Sequence, residues 1–112
     1  MRPLTHPSIE NVRVEAILHA LSDPVRAAIY AEMQSDGCPQ SCSSFASVRA
    51  REIPKSTLSQ HFRVLREAGL IHSERQGVEM RNTSRYAEVE QRFPGLICGI
   101  LNAYRQQTHE NA

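Results

Sequence analysis

The stretch from Pro54 to Thr83 reads P-K-S-T-L-S-Q-H-F-R-V-L-R-E-A-G-L-I-H-S-E-R-Q-G-V-E-M-R-N-T, and it leaves few options for the chain around it. Leu58, Phe62 and Leu65 recur at i, i+4 and i+7, so one side of a helix over about residues 54–68 must pack inward. The opposite side carries Lys55, Ser56, Ser59, Gln60 and Arg63, residue types that hydrogen-bond phosphates and base edges. Gly69 follows Glu67-Ala68 as the natural left-handed cap of that helix. Ile71 to Arg75 and Val78 to Thr83 then read as two short strands turning at Gln76-Gly77, a wing over residues 71–83.

The remaining elements are helical. Residues 1–8 hold two prolines and are expected to form a flexible arm ahead of a single domain over 9–108, with a short tail at 109–112. Val14, Ile17, Leu18 and Leu21 share one face of a helix predicted from Ile9 to Leu21. Asp23 suits an N-cap and Pro24 a first helical position, where its missing N–H is no loss. The helix they open should bury Val25, Ala28 and Ile29, run to about Gln34 and stop at Ser35-Asp36-Gly37. Residues 38–44 read as a connector and Ser43 to Ala50 as a short helix, so that a helix-turn-helix precedes the wing. The last helical region begins near Tyr86, breaks at Phe93-Pro94-Gly95 and resumes over about 94–107. Its stripe of Leu96, Ile97, Ile100, Leu101 and Tyr104 is either plain core or a dimerisation helix. At 112 residues a lone core is only modestly stabilising, which favours the dimer. The fold class is therefore mainly α with a small β-hairpin, a winged helix-turn-helix paired through its terminal helices.

Net charge is only +1, which argues against an indiscriminate polyanion binder, but the charge is unevenly placed. Arg49 to Arg85 holds eight basic and four acidic residues, a surplus of +4, against −3 for the rest of the chain. A basic middle between acidic ends is the footprint of a DNA-facing surface, although a solvated charged face would give the same count. No apolar run reaches membrane-spanning length and the N-terminus lacks a signal-peptide core, so a cytoplasmic protein without membrane contact is expected. With no Trp and 5% aromatics, base-stacking platforms for single strands are disfavoured. There is no glycine-rich phosphate loop, nucleophile elbow or paired Cys-x-x-Cys, and the five His are scattered, so no enzyme and no cofactor are expected.

Three segments together, Ala20-Leu-Ser-Asp-Pro-Val-Arg, Ser56-Thr-Leu-Ser-Gln-His-Phe-Arg-Val-Leu-Arg-Glu-Ala-Gly-Leu-Ile and Arg75-Gln-Gly, resemble the arsenic-repressor (ArsR/SmtB) family. The resemblance covers roughly Val14 to Leu101 and implies a homodimeric winged-helix repressor that leaves its operator when an inducer binds. It places Ser56, Thr57, Ser59, Gln60, His61 and Arg63 on the recognition helix and Arg75, Gln76 and Gly77 at the wing. The family's metal sites do not carry over. The Cys-Val-Cys element of metal-sensing members falls here on Ser43, Ser44 and Phe45. The last helix also lacks the Asp-x-His pair and has no His before His109, so no metal is expected.

Ser56, Gln60 and Arg63 lie at i, i+4 and i+7, so they can reach adjacent base edges in a major groove together. Arg63 suits a guanine and Gln60 an adenine, each bidentate pair contributing about 1–3 kcal/mol of discrimination. Lys55, Thr57 and the helix N-terminus suit phosphates, which set register without reading sequence. His61 fits a phosphate contact or a packing role equally well. Arg75 and Arg81 flank the wing turn and suit a minor groove, or they pair with Glu74 and Glu79 across the hairpin. The partners implied are an inverted-repeat duplex and a second copy of the chain.

Cys38 and Cys42 lie four apart before the helix-turn-helix, with Pro39 between them. As a thiol switch, a disulfide there would misalign the recognition helices and release DNA; as plain small hydrophobes they would do nothing. A third reading gathers Cys38, Cys42 and Cys98 into a thiolate cluster for a soft metalloid. The rival to DNA binding altogether is a winged-helix module that binds another protein.

Overall fold

The computed structural model describes residues 6–36, 40–41 and 53–110. A 3-10 turn at Ile9–Asn11 leads through extended Val12 and Arg13 into α1 (Val14–Ala20). The continuous helix expected from residue 9 is thus broken, because the extended step drops Val12 into the core at 1% exposure. Ile17 and Leu21 are buried as the periodicity requires and Val14 is half-buried, but Leu18, expected on the same stripe, is 49% exposed, and Ala20, not on that stripe, is buried instead.

α2 (Pro24–Asp36) begins where the sequence says it should. Asp23 Oδ1 accepts the backbone N–H groups of Val25 at 2.8 Å and Arg26 at 3.2 Å, satisfying donors that the first turn leaves open. Its inward residues are Ala27, Ile29, Tyr30 and Met33, whereas Val25 and Ala28 face out, contrary to expectation. α2 has apolar residues all round, and periodicity could not choose which of them go inside. Burial pushes the Tyr30 phenol up to about 12, and Ser84 donates its hydroxyl to that oxygen at 3.0 Å, tying α2 to the sheet.

The connector carries an element too short to show a period. β1 (Gln40–Ser41) adds a third strand, with Gln40 opposite Asn82 and Ser41 opposite Arg81. The short helix expected over residues 43–50 lies outside the described residues, as do Cys38 and Cys42.

α3 (Lys55–Glu67) follows Pro54 and ends as read from the sequence. Gly69 takes φ +88°, while the Gly69 N–H bonds Arg66 O at 3.1 Å and the Leu70 N–H bonds Leu65 O at 3.0 Å. That pair of bonds is a Schellman closure. Glycine is required twice over, because a Cβ at position 69 would also stand 2.4 Å from Val12 Cγ2. β2 (Ile71–Gln76) and β3 (Glu79–Ser84) pair antiparallel from Ile71–Ser84 to Gln76–Glu79. The turn is Gly77-Val78, one residue later than expected, with φ +65° at Gly77 as a primed hairpin turn needs. Strand order is β1-β3-β2. α4 (Tyr86–Arg92) and α5 (Leu96–Glu110) complete the chain.

The end of the expected loose arm is docked. His6 Nε2 accepts the Ser73 N–H of β2 at 3.0 Å, and its ring stacks on His72 at 4.2 Å. Arg85 donates to Pro7 O at 2.8 Å and also to Glu88, whose carboxyl that bond holds below its ordinary value. Arg92 donates to Ile9 O. No helix among the described residues is long and apolar enough to cross a membrane.

Candidate nucleic-acid interface

α3 divides cleanly. Leu58, Phe62 and Leu65 are buried, while Lys55, Ser56, Thr57, Ser59, Gln60 and Arg63 are all exposed. Ser56, Gln60 and Arg63 therefore form one solvent-facing row opposite the apolar stripe. Arg63 Nε bonds Glu67 Oε2 at 3.2 Å, but both side chains are about three-fifths exposed. Such a pair contributes roughly 0–1 kcal/mol and yields readily to a stronger acceptor. Pro54, the N-cap of α3, gives no side-chain hydrogen bond to the first turn, whose N–H groups point the way an anion would approach.

The wing projects its tip into solvent: Gln76, Gly77 and Val78 are exposed, Val78 fully. Arg75 and Arg81 are exposed too, and they lie on opposite faces of the hairpin. Arg75 stands across from Met80, and Arg81 across from Glu74. Among the described residues neither arginine makes an ion pair within 4.0 Å, so the cross-hairpin pairing weighed for them is not formed. Inside the hairpin Ser73 Oγ bonds Asn82 Oδ1 at 2.7 Å, a buried polar contact that fixes register.

A family model described as a helix-turn-helix domain matches residues 21–74, from the end of α1 into β2. An ArsR-like transcriptional regulator from Rhodococcus sp. RHA1 is similar in structure at a TM-score of 0.57 and 24% identity, over 87% of this chain and 83% of that one. The crystal structure of another ArsR family transcriptional regulator gives 0.61 and 18% identity over 96% of this chain and 99% of the other. No curated protein matches the sequence. The fold is a winged helix-turn-helix.

Within that winged helix-turn-helix, the five residues expected at a dimer contact are not equivalent. Ile97 and Leu101 are buried in the subunit's own core at 0% and 3% exposure. Leu96, Ile100 and Tyr104 are only half-buried, and Tyr104 donates its hydroxyl to Leu21 O at 2.7 Å, seating α5 beside the end of α1. Cys98 is half-buried with Sγ 2.8 Å from the Tyr86 hydroxyl. Among the described residues no three His, Cys, Asp or Glu side chains are grouped as metal ligands.

Sequence reasoning missed one member of the winged-helix site. Arg26 connects α1, α2 and α3, and its Nη1 stands 3.4 Å from His61 Nδ1. The placement of Arg26 three residues after the capping Asp23 was the available signal. Its partner on α3 is 35 residues further along and leaves no local trace.

Proposed function

We propose that the protein is an ArsR-family transcriptional regulator that binds operator DNA as a homodimer and represses the genes beside it. The observation that carries this reading is the exposed row of Ser56, Gln60 and Arg63 on α3, beside a hairpin flanked by Arg75 and Arg81. An α-helix fits a major groove, where bidentate Arg–guanine and Gln–adenine pairs read sequence. Lys55, Thr57, Ser59 and the N-terminus of α3 supply phosphate contacts. Arg75, Gln76, Gly77 and Arg81 bring the wing to the neighbouring groove. Exposed Leu18 and Val25, with half-buried Leu96, Ile100 and Tyr104, supply apolar surface for a second copy. Two-fold pairing sets the recognition helices about 34–36 Å apart, which calls for an inverted-repeat operator.

Selection of duplexes from a random pool, followed by titration of two variants, tests the reading. Arg63→Ala is expected to lose discrimination between selected and scrambled duplexes by roughly tenfold or more. Lys55→Ala should weaken both alike. Indifference of both affinities to both changes contradicts the reading.

The inducer belongs to the same proposal: hydrogen peroxide, reduced to two waters, oxidises the Cys38 and Cys42 thiols to a disulfide, and the duplex is released. Release by peroxide, and its loss in Cys42→Ser, would support this switch. Release by arsenite and not by peroxide would point instead to a thiolate cluster that includes Cys98.

A further inference from the structure

We infer that Arg26 is the positioning residue of α3: it holds the recognition helix through the His61 imidazole and fixes that ring's proton on Nε2. The inference deepens the DNA-reading role proposed above and rests on it for its consequence, though not for its geometry.

Arg26 stands in the first turn of α2 with its side chain 13% exposed. Its Nε donates to Ala20 O at 2.8 Å and its Nη2 reaches His19 O at 3.5 Å, both carbonyls at the end of α1. Nη1 lies 3.8 Å from Asp23 Oδ2 and 3.4 Å from His61 Nδ1. A guanidinium is planar, so two nitrogens anchored on backbone carbonyls leave the third no freedom to turn. It also has donors and no acceptor, so the nitrogen it meets on His61 must be accepting. In a neutral imidazole the proton then sits on Nε2, across the ring from the guanidinium.

The rest of α3 is held by Leu58, Phe62 and Leu65. Apolar burial is non-directional and tolerates a helix that rolls about its own axis. The Arg26–His61 contact is directional, and it acts one residue past Gln60 and two before Arg63. Any roll of α3 that carries those two side chains off their base edges also breaks this contact. Asp23 completes the arrangement. Burial would raise its carboxyl, but the N–H bonds from Arg26 and Val25 and the Arg26 charge hold it below the ordinary value. Asp23 thus remains charged and keeps the guanidinium in place.

Two measurements decide the matter. Nitrogen-15 spectra of the imidazole rings in the free protein should show His61 as the Nε2–H tautomer, passing to a mixture in Arg26→Gln. A double-mutant cycle of R26Q and H61F on the selected duplex should show each single change weakening binding roughly fivefold or more, and the double change little worse than either. Melting temperature separates positioning from folding: R26Q should lower it by most of the same amount with or without H61F, because the lost α1 carbonyl contacts do not pass through His61, so the coupling seen in affinity exceeds that seen in stability. Additive losses of affinity in the cycle, or an Nδ1–H tautomer in the unmodified protein, would overturn the inference. If the protein binds no duplex, the DNA-reading role fails, and the ring spectrum alone then supports or overturns the contact.

Discussion

α3 and α5 are both amphipathic helices, yet they divide their surfaces differently. In α3 every apolar position of the stripe goes inward, and every polar position named for DNA except the half-buried His61 stays out. In α5 the stripe is split: Ile97 and Leu101 belong to the subunit's own core, while Leu96, Ile100 and Tyr104 keep part of their surface free. A polar face beside an apolar one has a single physical solution within one chain. An apolar stripe has two, since the core and a second copy reward the same residues through the same hydrophobic effect.

The sharpest break of this contrast lies within α3 itself. Leu65→Ala, at a position with 0% exposure, should cost about 2–5 kcal/mol in urea melts, while Gln60→Ala should stay within about 0.5 kcal/mol. Comparable losses would mean that the outer row is structural. On α5 the same logic separates neighbours three apart. Ile97→Ala should destabilise the subunit by about 2–4 kcal/mol. Ile100→Glu should halve the mass seen in sedimentation and remove the concentration dependence of the melting temperature, while the subunit still melts cooperatively. Unfolding by Ile100→Glu would place that residue in the core instead.

Gly69→Ala comes next. The left-handed backbone and the close approach of Val12 together should cost about 2 kcal/mol, with the loss of the clean helix end that sets where the wing begins. The smallest effect is at the start of α2. Asp23→Ala removes a cap contributing about 1 kcal/mol. Because the folded carboxyl is held below its unfolded value of 3.8, that stabilisation is present above this pH and disappears as pH falls through the folded value. The acid limb of a stability profile should flatten in the variant.

What could be read from the sequence follows from the same physics. The Asp23-Pro24 start of α2 and the Gly69 end of α3 were legible because capping is local chemistry with few residue options. The exposure of the Ser56, Gln60 and Arg63 row was legible because polar residues at helical spacing have nowhere else to go. Leu18, Val25 and Ala28 were misassigned because a period locates a stripe without saying which flank meets the core. β1 has only two residues, too few for any period, and its pairing with β3 is a tertiary event. Docking of His6 on the edge of β2 depends on contact across 67 residues, and Arg26 with His61 on one across 35.

Duplex affinity followed against salt concentration tests the DNA-reading surface most directly. We expect the logarithm of affinity to fall steeply and linearly with the logarithm of salt, by about 0.9 for each phosphate neutralised, with Lys55→Ala reducing the slope by about one. No measurable affinity for any duplex at low salt, or an affinity indifferent to salt, would contradict it.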